Sequence, residues 1–453
     1  MVRLGDVCQK ITDGTHHSPV SGSAGAYKYV TAKNIKPWGL DLSDITYVDE
    51  KTHREIFARC DVQPNDVLLI KDGATTGRVA VNTLREPFSL LSSVGVLRPG
   101  PSLESKYLAY ALQTPAVQDA MFAKMSGVAI TRLTLKKIKD LEIPIVGLDE
   151  QQQVVAELEK QFSRLDEAVA NLQRVKANLK RYKASVLKAA VEGRLVETEA
   201  SIAQREGRTY ETGEQLLQST LEARKAQWVG RGKYKPPEPP QVSDASLPEG
   251  WAWATLEQLH LQIADVDHKM PKAQESGIPY ISTKDFFGDE GIDFSKAKLI
   301  SAEDYEGLCR KVKPERGDLL LSRYGTVGEV REVCVDEPFQ ASYSVAILKP
   351  VRGFVPIRFL IAALRSDVVQ RQIKRDVRAT AQPDLGLAHI RQFVVPVPPM
   401  AEQLRILEEL DRQLSILRGI ETEVENNLIR AQTLRQSTLS KAFLTNQLQG
   451  TVT

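Results

Sequence analysis

The 453-residue chain is longer than one ordinary domain core, and its length predicts two to four domains. Hydrophobic residues make up 42% and charged residues 26%, and no apolar run approaches the roughly 20 residues of a bilayer span, so we expect a soluble, cytoplasmic protein with no membrane contact. The formal net charge of +2 excludes a histone-like protein, and any DNA-binding surface must be local.

Residues 1–148 have the pattern of a compact domain that mixes helices and strands. The apolar run at 67–70 predicts a strand, and the periodicity of 106–125 predicts a helix. Residues 149–194 follow as a long helix. Apolar side chains recur there at steps of three or four residues from Val155 onward, which is the pattern of a coiled-coil seam.

Residues 195–246 differ from the stretches on either side. They contain an amphipathic segment at 214–228 and a proline-rich run at 236–240. Proline-rich segments adopt extended, semi-rigid conformations, so this stretch predicts a linker with a short helix and a polyproline-like spacer.

The mixed pattern returns at residues 247–399. An apolar run at 319–321 predicts a strand, and 357–374 predict a helix. Residues 400–446 again carry a long apolar stripe and predict a second long helix, followed by a tail at 447–453.

The second half of the chain repeats the first. Tyr-Val-Thr-Ala-Lys-Asn at 29–34 returns 251 positions later as Tyr-Ile-Ser-Thr-Lys-Asp at 280–285. Glu-Pro-Phe at 86–88 returns at the same spacing at 337–339. Solenoid repeats run about 20–50 residues, so this period indicates two copies of a whole module.

Together these patterns predict two α/β (α+β) recognition domains in tandem, separated by two long antiparallel α-helices that form a coiled coil with pseudo-two-fold symmetry. Each helix of roughly 40 residues would be about 60 Å long, and its apolar stripe must be buried. Two domains separated by helices of fixed length would bind two sites a fixed distance apart. Duplex DNA offers such sites, because its major groove recurs about every 34–36 Å.

A family resemblance rests on several motifs. They are Asp-Gly-Thr-His-His-Ser-Pro at 13–19, Leu-Pro-Glu-Gly-Trp at 247–251, and the proline followed by Glu-Gln that precedes each long helix. The helix endings at 179–195 and 437–443 add to it. Over essentially its whole length, the chain resembles the specificity subunit of type I restriction-modification systems.

The resemblance implies a subunit that reads a bipartite, asymmetric DNA site. Each domain would read one half, and the helices would set the spacer. Two methyltransferase (modification) subunits would dock on the helices, and an endonuclease-translocase (restriction) subunit would join the larger complex. S-adenosylmethionine would bind to the methyltransferase subunit, and this chain would hold no cofactor. One departure is that the first module lacks a counterpart of residues 247–251, so either its start is placed late or its opening segment is shortened.

The motifs of several enzyme classes are missing from the sequence. No Asn-Pro-Pro-Tyr/Phe motif of amino-methyltransferases occurs, and Gly-Ala-Thr-Thr-Gly at 73–77 lacks the Lys-Ser/Thr ending of a phosphate-binding loop. The four cysteines form no Cys-x-x-Cys pair, which argues against zinc ribbons and disulfide frameworks. We therefore expect no catalytic residues and no metal. Adjacent His16 and His17 could instead bind a metal, form a polar turn or face DNA.

Base reading needs hydrogen-bonding side chains on loops, and phosphates need cations. Loops of this kind recur after equivalent strands of both modules, although a solvated turn remains an alternative for each. The candidate DNA-binding residues are Thr15, His16, His17, Lys33, Asn34, Lys71, Thr75, Arg132, Lys269, Lys284, Asp285, Arg323, Tyr324, Arg378 and Gln382.

Apolar side chains near the ends of the long helices are candidates for the partner interface. They are Leu179, Tyr182, Val186, Leu187, Leu434, Leu439 and Phe443. Two other functions stay open. One is an adaptor whose coiled coil joins two protein-binding domains without reading DNA. The other is an enzyme with a divergent site, such as a fused methyltransferase.

Overall fold

The computed structural model describes residues 1–36, 39–125, 132–228, 233–241, 246–268, 270–378 and 383–449. The chain divides into two compact units. Unit 1 comprises residues 1–174 and 423–453, and unit 2 comprises residues 175–422. Each unit contains one mixed domain and a part of both long helices.

Unit 1 begins with eleven strands among the described residues. They are β1 Val2–Arg3, β2 Cys8–Asp13, β3 Tyr27–Val30, β4 Ile35–Lys36, β5 Gly39–Leu40, β6 Thr46–Val48, β7 Val67–Ile70, β8 Val79–Val81, β9 Ser89–Leu90, β10 Val94–Pro99 and β11 Glu142–Ile143. The helices up to the first long one are α1 Leu4–Val7, α2 Glu50–Arg59, α3 Ser105–Gln113, α4 Pro115–Lys124, α5 Leu135–Lys139 and α6 Leu148–Val191, with a 3-10 helix at Ala32–Asn34.

Two helices, α7 Glu199–Glu206 and α8 Gly213–Ala226, follow α6. The elements after them repeat the order of the first half. The strands are β12 Ala252–Thr255, β13 His260–Ala264, β14 Ile278–Ile281, β15 Phe286–Phe287, β16 Gly291–Ile292, β17 Lys298–Ile300, β18 Leu319–Ser322, β19 Val330–Glu332, β20 Gln340–Ala341, β21 Val345–Pro350 and β22 Val394–Val397. The helices are α9 Leu256–Leu259, α10 Ala302–Cys309, α11 Ile357–Arg365, α12 Asp367–Asp376, α13 Leu387–Gln392 and α14 Met400–Gln449, with a 3-10 helix at Thr283–Asp285.

The sheet topology confirms the internal repeat. Unit 1 has an antiparallel sheet in the order β2-β10-β7-β8, and unit 2 has one in the order β13-β21-β18-β19. A three-stranded sheet, β6-β3-β9 or β17-β14-β20, accompanies each. In both copies, one pair of the smaller sheet is parallel. The two domains therefore share one scaffold.

The predicted strand at 67–70 is confirmed as β7, and both of its faces are buried. Leu69 packs in one core cluster with α3 and both long helices, whereas Leu68 and Ile70 pack in a second cluster beneath the smaller sheet. Successive strand residues point to opposite faces, so a strand covered on both sides reads as a continuous apolar run. β18 repeats this arrangement in unit 2.

The predicted helices at 106–125 and 357–374 are each broken in two. Thr114 has extended backbone angles, and Pro115 begins α4 because proline suits the first turn of a helix but not its interior. Ser366 separates α11 from α12 in the same way, and its hydroxyl donates to the Ala363 carbonyl at 2.6 Å.

Each long helix carries a buried glutamine in its first turn. The Gln151 side chain donates to the carbonyls of Val146 (2.8 Å) and Ser102 (2.9 Å), and Gln403 donates to that of Pro398 (2.8 Å). These bonds tie the first turn of each helix to the short segment between it and the preceding strand, and in unit 1 also to the segment before α3. α6 ends where Gly193 takes a left-handed conformation (φ 67°), the usual helix stop.

The two long helices pack against each other inside each unit. In unit 1, Arg435 of α14 pairs with Asp166 of α6 at 2.7 Å and lies over the Phe162 ring. In unit 2, the Tyr182 hydroxyl of α6 lies 3.4 Å from Gln413 of α14. The later residue of α6 contacts the earlier residue of α14, so the helices run antiparallel.

The described part of residues 195–246 contains two helices where the sequence predicted one. Leu216 and Leu217 of α8 lie in the core of unit 2. The backbone N–H of Glu199, at the start of α7, donates to the buried Glu402 carboxylate at 2.8 Å, and Arg405 pairs with Glu199 at 2.7 Å. Both helices are therefore packed within unit 2.

Candidate nucleic-acid interface

The loop after β2 carries Thr15, His16 and His17. Its backbone is fixed against β9, because Thr15 donates to the Leu90 carbonyl at 2.8 Å. Gly14 permits this approach, since a Cβ there would lie 2.0 Å from the Leu90 oxygen. The side chains of His16 and His17 are exposed. The loop thus presents two imidazoles on a rigid backbone.

His16 is engaged with its own domain. Its Nε2 accepts from Arg59 at 3.0 Å and lies 3.3 Å from the Asp13 carboxylate. Throughout the part of the chain that the structure describes, no group of three or more His, Cys, Asp or Glu side chains is placed to hold a metal ion. His16 therefore lies in a polar turn whose side chains contact one another.

Lys71 and Arg323 follow β7 and β18 at equivalent positions, and both are buried, with side chains 7% exposed. Lys71 pairs with Asp72 at 2.8 Å, and Arg323 pairs with Asp384 at 3.1 Å. Their charges are compensated inside each domain. Both side chains therefore point into their own domain and form ion pairs there.

Other candidates surround these two positions at the surface. Arg132 is exposed, and its backbone pairs with that of Asp72; Thr75 in the same region is half-buried. In unit 2, Arg378 is exposed and its N–H donates to the Asp384 carbonyl at 3.0 Å. Each candidate surface therefore brings together loops that are distant in sequence.

Tyr324 belongs to an aromatic group that is not repeated among the described residues of unit 1. Its ring lies edge-on to Tyr343 (5.5 Å between centroids) and to His268 (6.4 Å), and His268 stacks on Tyr343 at 4.6 Å. The equivalent of Tyr324 in unit 1 is Asp72. The two surfaces thus present different chemistry at one position.

The residue pairs at 33–34 and 284–285 lie on the two 3-10 helices. Asn34 is buried, and its amide accepts from the Thr31 N–H (3.0 Å) and donates to the Asp41 carbonyl (3.0 Å). Asp285 accepts from the Ser282 N–H at 2.7 Å. These groups hold the turn, which leaves Lys284 exposed. Lys33, in contrast, pairs with Asp44 at 2.9 Å.

Two candidates, Lys269 and Gln382, lie outside the described residues, as does most of the loop that precedes Arg132. What these residues contribute to the surface stays a prediction.

The candidate partner residues fall into two groups. Five are buried within their own unit: Leu179, Val186, Leu187, Leu439 and Phe443. Tyr182 and Leu434 are 53% and 56% exposed. Leu434 borders a shallow, mostly apolar groove in unit 1, with Phe162 and Leu165 on the α6 side. Ile416 and Ile420 are exposed apolar residues of α14 that the sequence reasoning missed, because they lie off the regular stripe.

Burial governs the cysteines of unit 1. It raises the pKa of both Cys8 and Cys60 to about 12. A thiol with such a pKa stays protonated at neutral pH and is a poor nucleophile.

Among the helices that the structure describes, none is long and apolar enough to cross a membrane.

The sequence matches the family described as "Type I restriction modification DNA specificity domain" twice, over residues 1–180 and 248–426. The chain belongs to this family. It is 24% identical over 332 residues to the type I restriction enzyme EcoBI specificity subunit of Escherichia coli, which covers 73% of this chain and 63% of that protein. It is 21% identical to the EcoKI specificity subunit of E. coli strain K12, covering 91% and 81%.

A chain from a solved structure of a type I R-M system has the same fold. The TM-score is 0.63 at 17% identity, and the match covers 98% of this chain and 96% of that chain.

Proposed function

We propose that this chain is a sequence-specificity subunit that reads a bipartite DNA site, with residues 1–148 reading one half and 247–399 the other. One observation carries the proposal: equivalent loops on the same scaffold present different side chains. Where unit 1 has Asp72, unit 2 has Tyr324. Two heads of one geometry with different contact groups suit a site with two different halves.

The long helices, residues 149–194 and 400–446, would set the unread gap between the halves. Methyltransferase subunits would dock on them. The exposed side chains of Tyr182 and Leu434 and the groove beside Leu434 support this docking surface, because exposed apolar patches on helices are typical of interfaces. The restriction subunit would join this assembly. S-adenosylmethionine would bind to the methyltransferase, and the chain itself would be non-catalytic and act in the cytoplasm.

The proposal is tested by mapping methylated bases in a host genome. Three strains are compared: one expressing this chain with its methyltransferase subunit, and two expressing each protein alone. We expect a gapped, asymmetric methylation motif only when both are present. A motif that forms without this chain would contradict the proposal and favour an adaptor. Methylation by this chain alone would favour a fused methyltransferase.

A further inference from the structure

Each unit buries a carboxylate at the end of an equivalent strand. Asp13 ends β2, Asp265 directly follows β13, and the two side chains are 3% and 6% exposed. Three groups surround each carboxylate at positions that are again 252 residues apart: a buried cation, a second cation and a histidine. We name each set a charge hub. The hub of unit 1 is Asp13, Lys71, Arg59 and His16, and that of unit 2 is Asp265, Arg323, Lys311 and His268.

The hub of unit 1 connects three chain segments. Arg59, at the end of α2, donates to Asp13 Oδ1 at 2.7 Å. Lys71, directly after β7, places its Nζ 3.4 Å from Asp13 Oδ2. Asp13 itself begins the loop that carries Thr15 and His17.

The hub of unit 2 has the same pattern of ion pairs, with a different buried cation. Arg323 donates from Nη1 to Asp265 Oδ2 at 2.9 Å, and its Nε donates to the Leu385 carbonyl at 2.8 Å. Lys311 approaches Asp265 Oδ1 at 3.2 Å. The lysine ammonium of unit 1 and the arginine guanidinium of unit 2 thus occupy equivalent positions against equivalent carboxylates.

The backbone of each buried cation joins further loops. The N–H of Lys71 donates to the Ser93 carbonyl, and its carbonyl accepts from the Leu133 N–H, both at 2.9 Å. Arg323 makes the same two bonds, with Ser344 and Leu385, also at 2.9 Å. Within each unit, the described parts of the candidate loops, apart from those at the 3-10 helices, therefore connect to the buried ion pair of that unit.

A buried ion pair is weak evidence for stability, because well-packed apolar residues of similar volume often serve as well. Such pairs are directional, however, and fix the groups that they join. The same charged arrangement in both domains, at the base of the candidate reading loops, points to a geometric role.

We propose that Asp13 and Asp265 are positioning residues for half-site recognition. Each carboxylate holds the reading loops of its own domain in register through its buried cation, without contacting DNA. The inference rests on the proposed function, and it adds that each half of the site depends on its own hub.

The test uses the full chain assembled with its methyltransferase subunits. Asp13→Asn and Asp265→Asn remove one charge and keep the side-chain shape. The matched controls are Asp66→Asn and Asp318→Asn. These buried carboxylates directly precede β7 and β18, at the ends opposite the hubs, and pair with Arg98 (3.0 Å) and Lys349 (2.6 Å).

Methylation of the mapped site is compared with methylation of sites that carry one mismatched base pair in either half. We expect Asp13→Asn to lower discrimination about tenfold in one half only, and Asp265→Asn to do so in the other half. A displaced loop contacts the correct base pair less well, so a mismatch there costs less binding free energy than it does for the wild-type chain. Both controls should keep full discrimination. The salt dependence of DNA binding should not change, since no phosphate contact is lost.

Full discrimination in the hub variants would overturn the inference, as would an equal loss in the controls, which would indicate general loosening. If the asparagine variants do not assemble, Asp13→Glu and Asp265→Glu decide. Glutamate keeps the charge that compensates the buried cation, and its extra methylene displaces that cation and the loops bonded to it. Unchanged discrimination by both glutamate variants would contradict the inference. If the wild-type chain directs no motif, the proposed function itself fails, and the inference falls with it.

Discussion

At the scale of single residues, His260 has the most unusual environment among the described histidines. It is fully buried; its Nδ1–H donates to the Leu256 carbonyl at 2.6 Å, and its Nε2 has no hydrogen-bond partner in the described structure. Burial, together with the nearby Arg224 charge, lowers its pKa from 6.5 to about 4. The folded state therefore holds a neutral imidazole.

This environment predicts a pH dependence of the stability of unit 2. The unfolded histidine takes up a proton near pH 6.5 and the folded one only near pH 4, so the stabilisation is present above pH 6.5 and is lost as pH falls between these values. The loss should be up to about 3 kcal/mol. His260→Gln should lack this slope.

The measurement is urea unfolding followed by tryptophan fluorescence at pH 7.5 and pH 4.5. Three of the four tryptophans, Trp228, Trp251 and Trp253, belong to unit 2 and report on it. Equal pH slopes for the wild-type chain and the variant would contradict the assignment.

Sequence reasoning named candidate loops but could not give the direction of their charged side chains. Lys71 and Arg323 were predicted as loop cations, yet each turns inward to a carboxylate 58 residues earlier in the chain. A buried cation is decided by such long-range partners, which no local pattern reports. The common spacing of 252 residues between the members of the two hubs was the one available signal.

At the scale of elements, the long helices were predictable because their apolar stripe is periodic. The sequence could not say which stripe residues are covered. Leu439 is 1% exposed and packs in the core of unit 1, whereas Leu434, five residues earlier, is 56% exposed. Whether a stripe position is covered depends on the domain packed beside it, which periodicity does not encode.

This difference predicts opposite phenotypes for two leucines of α14. Leu439→Ala should lower the free energy of unfolding by about 2–5 kcal/mol, because it leaves a cavity in the core. Leu434→Ala should change it by less than about 0.5 kcal/mol, yet weaken association with the methyltransferase. Chemical unfolding and co-purification distinguish the two effects. A stable Leu439→Ala variant would show that α14 does not support this core.

The helices also predict how the DNA site should respond to their length. One heptad inserted after Arg174 in α6 and one before Glu423 in α14 keep the apolar stripes in phase and add about 10 Å. The unread gap of the methylation motif should grow by about three base pairs, with both half-sites unchanged. The same heptad added after Thr453 serves as the control. An unchanged gap would show that the helices do not set the spacing.

At the scale of the whole molecule, the internal repeat was the most informative feature of the sequence. It predicted two domains of one fold, and the matching strand orders confirm this. The packing of α7 and α8 on unit 2 was not predicted. The proline-rich composition of this stretch indicates a spacer, and the apolar face of α8 is short. The sequence pattern therefore predicted a linker where the structure has a packed segment. Composition describes local conformation better than it describes docking.

The central claim is that each domain reads its own half of the site. The most direct measurement replaces residues 247–399 with the corresponding domain of another family member of different specificity, and maps methylated bases in a host that also expresses the methyltransferase. We predict that one half of the motif changes to that of the donor, while the other half and the gap are retained. A motif that changes in both halves, or in neither, would contradict the claim.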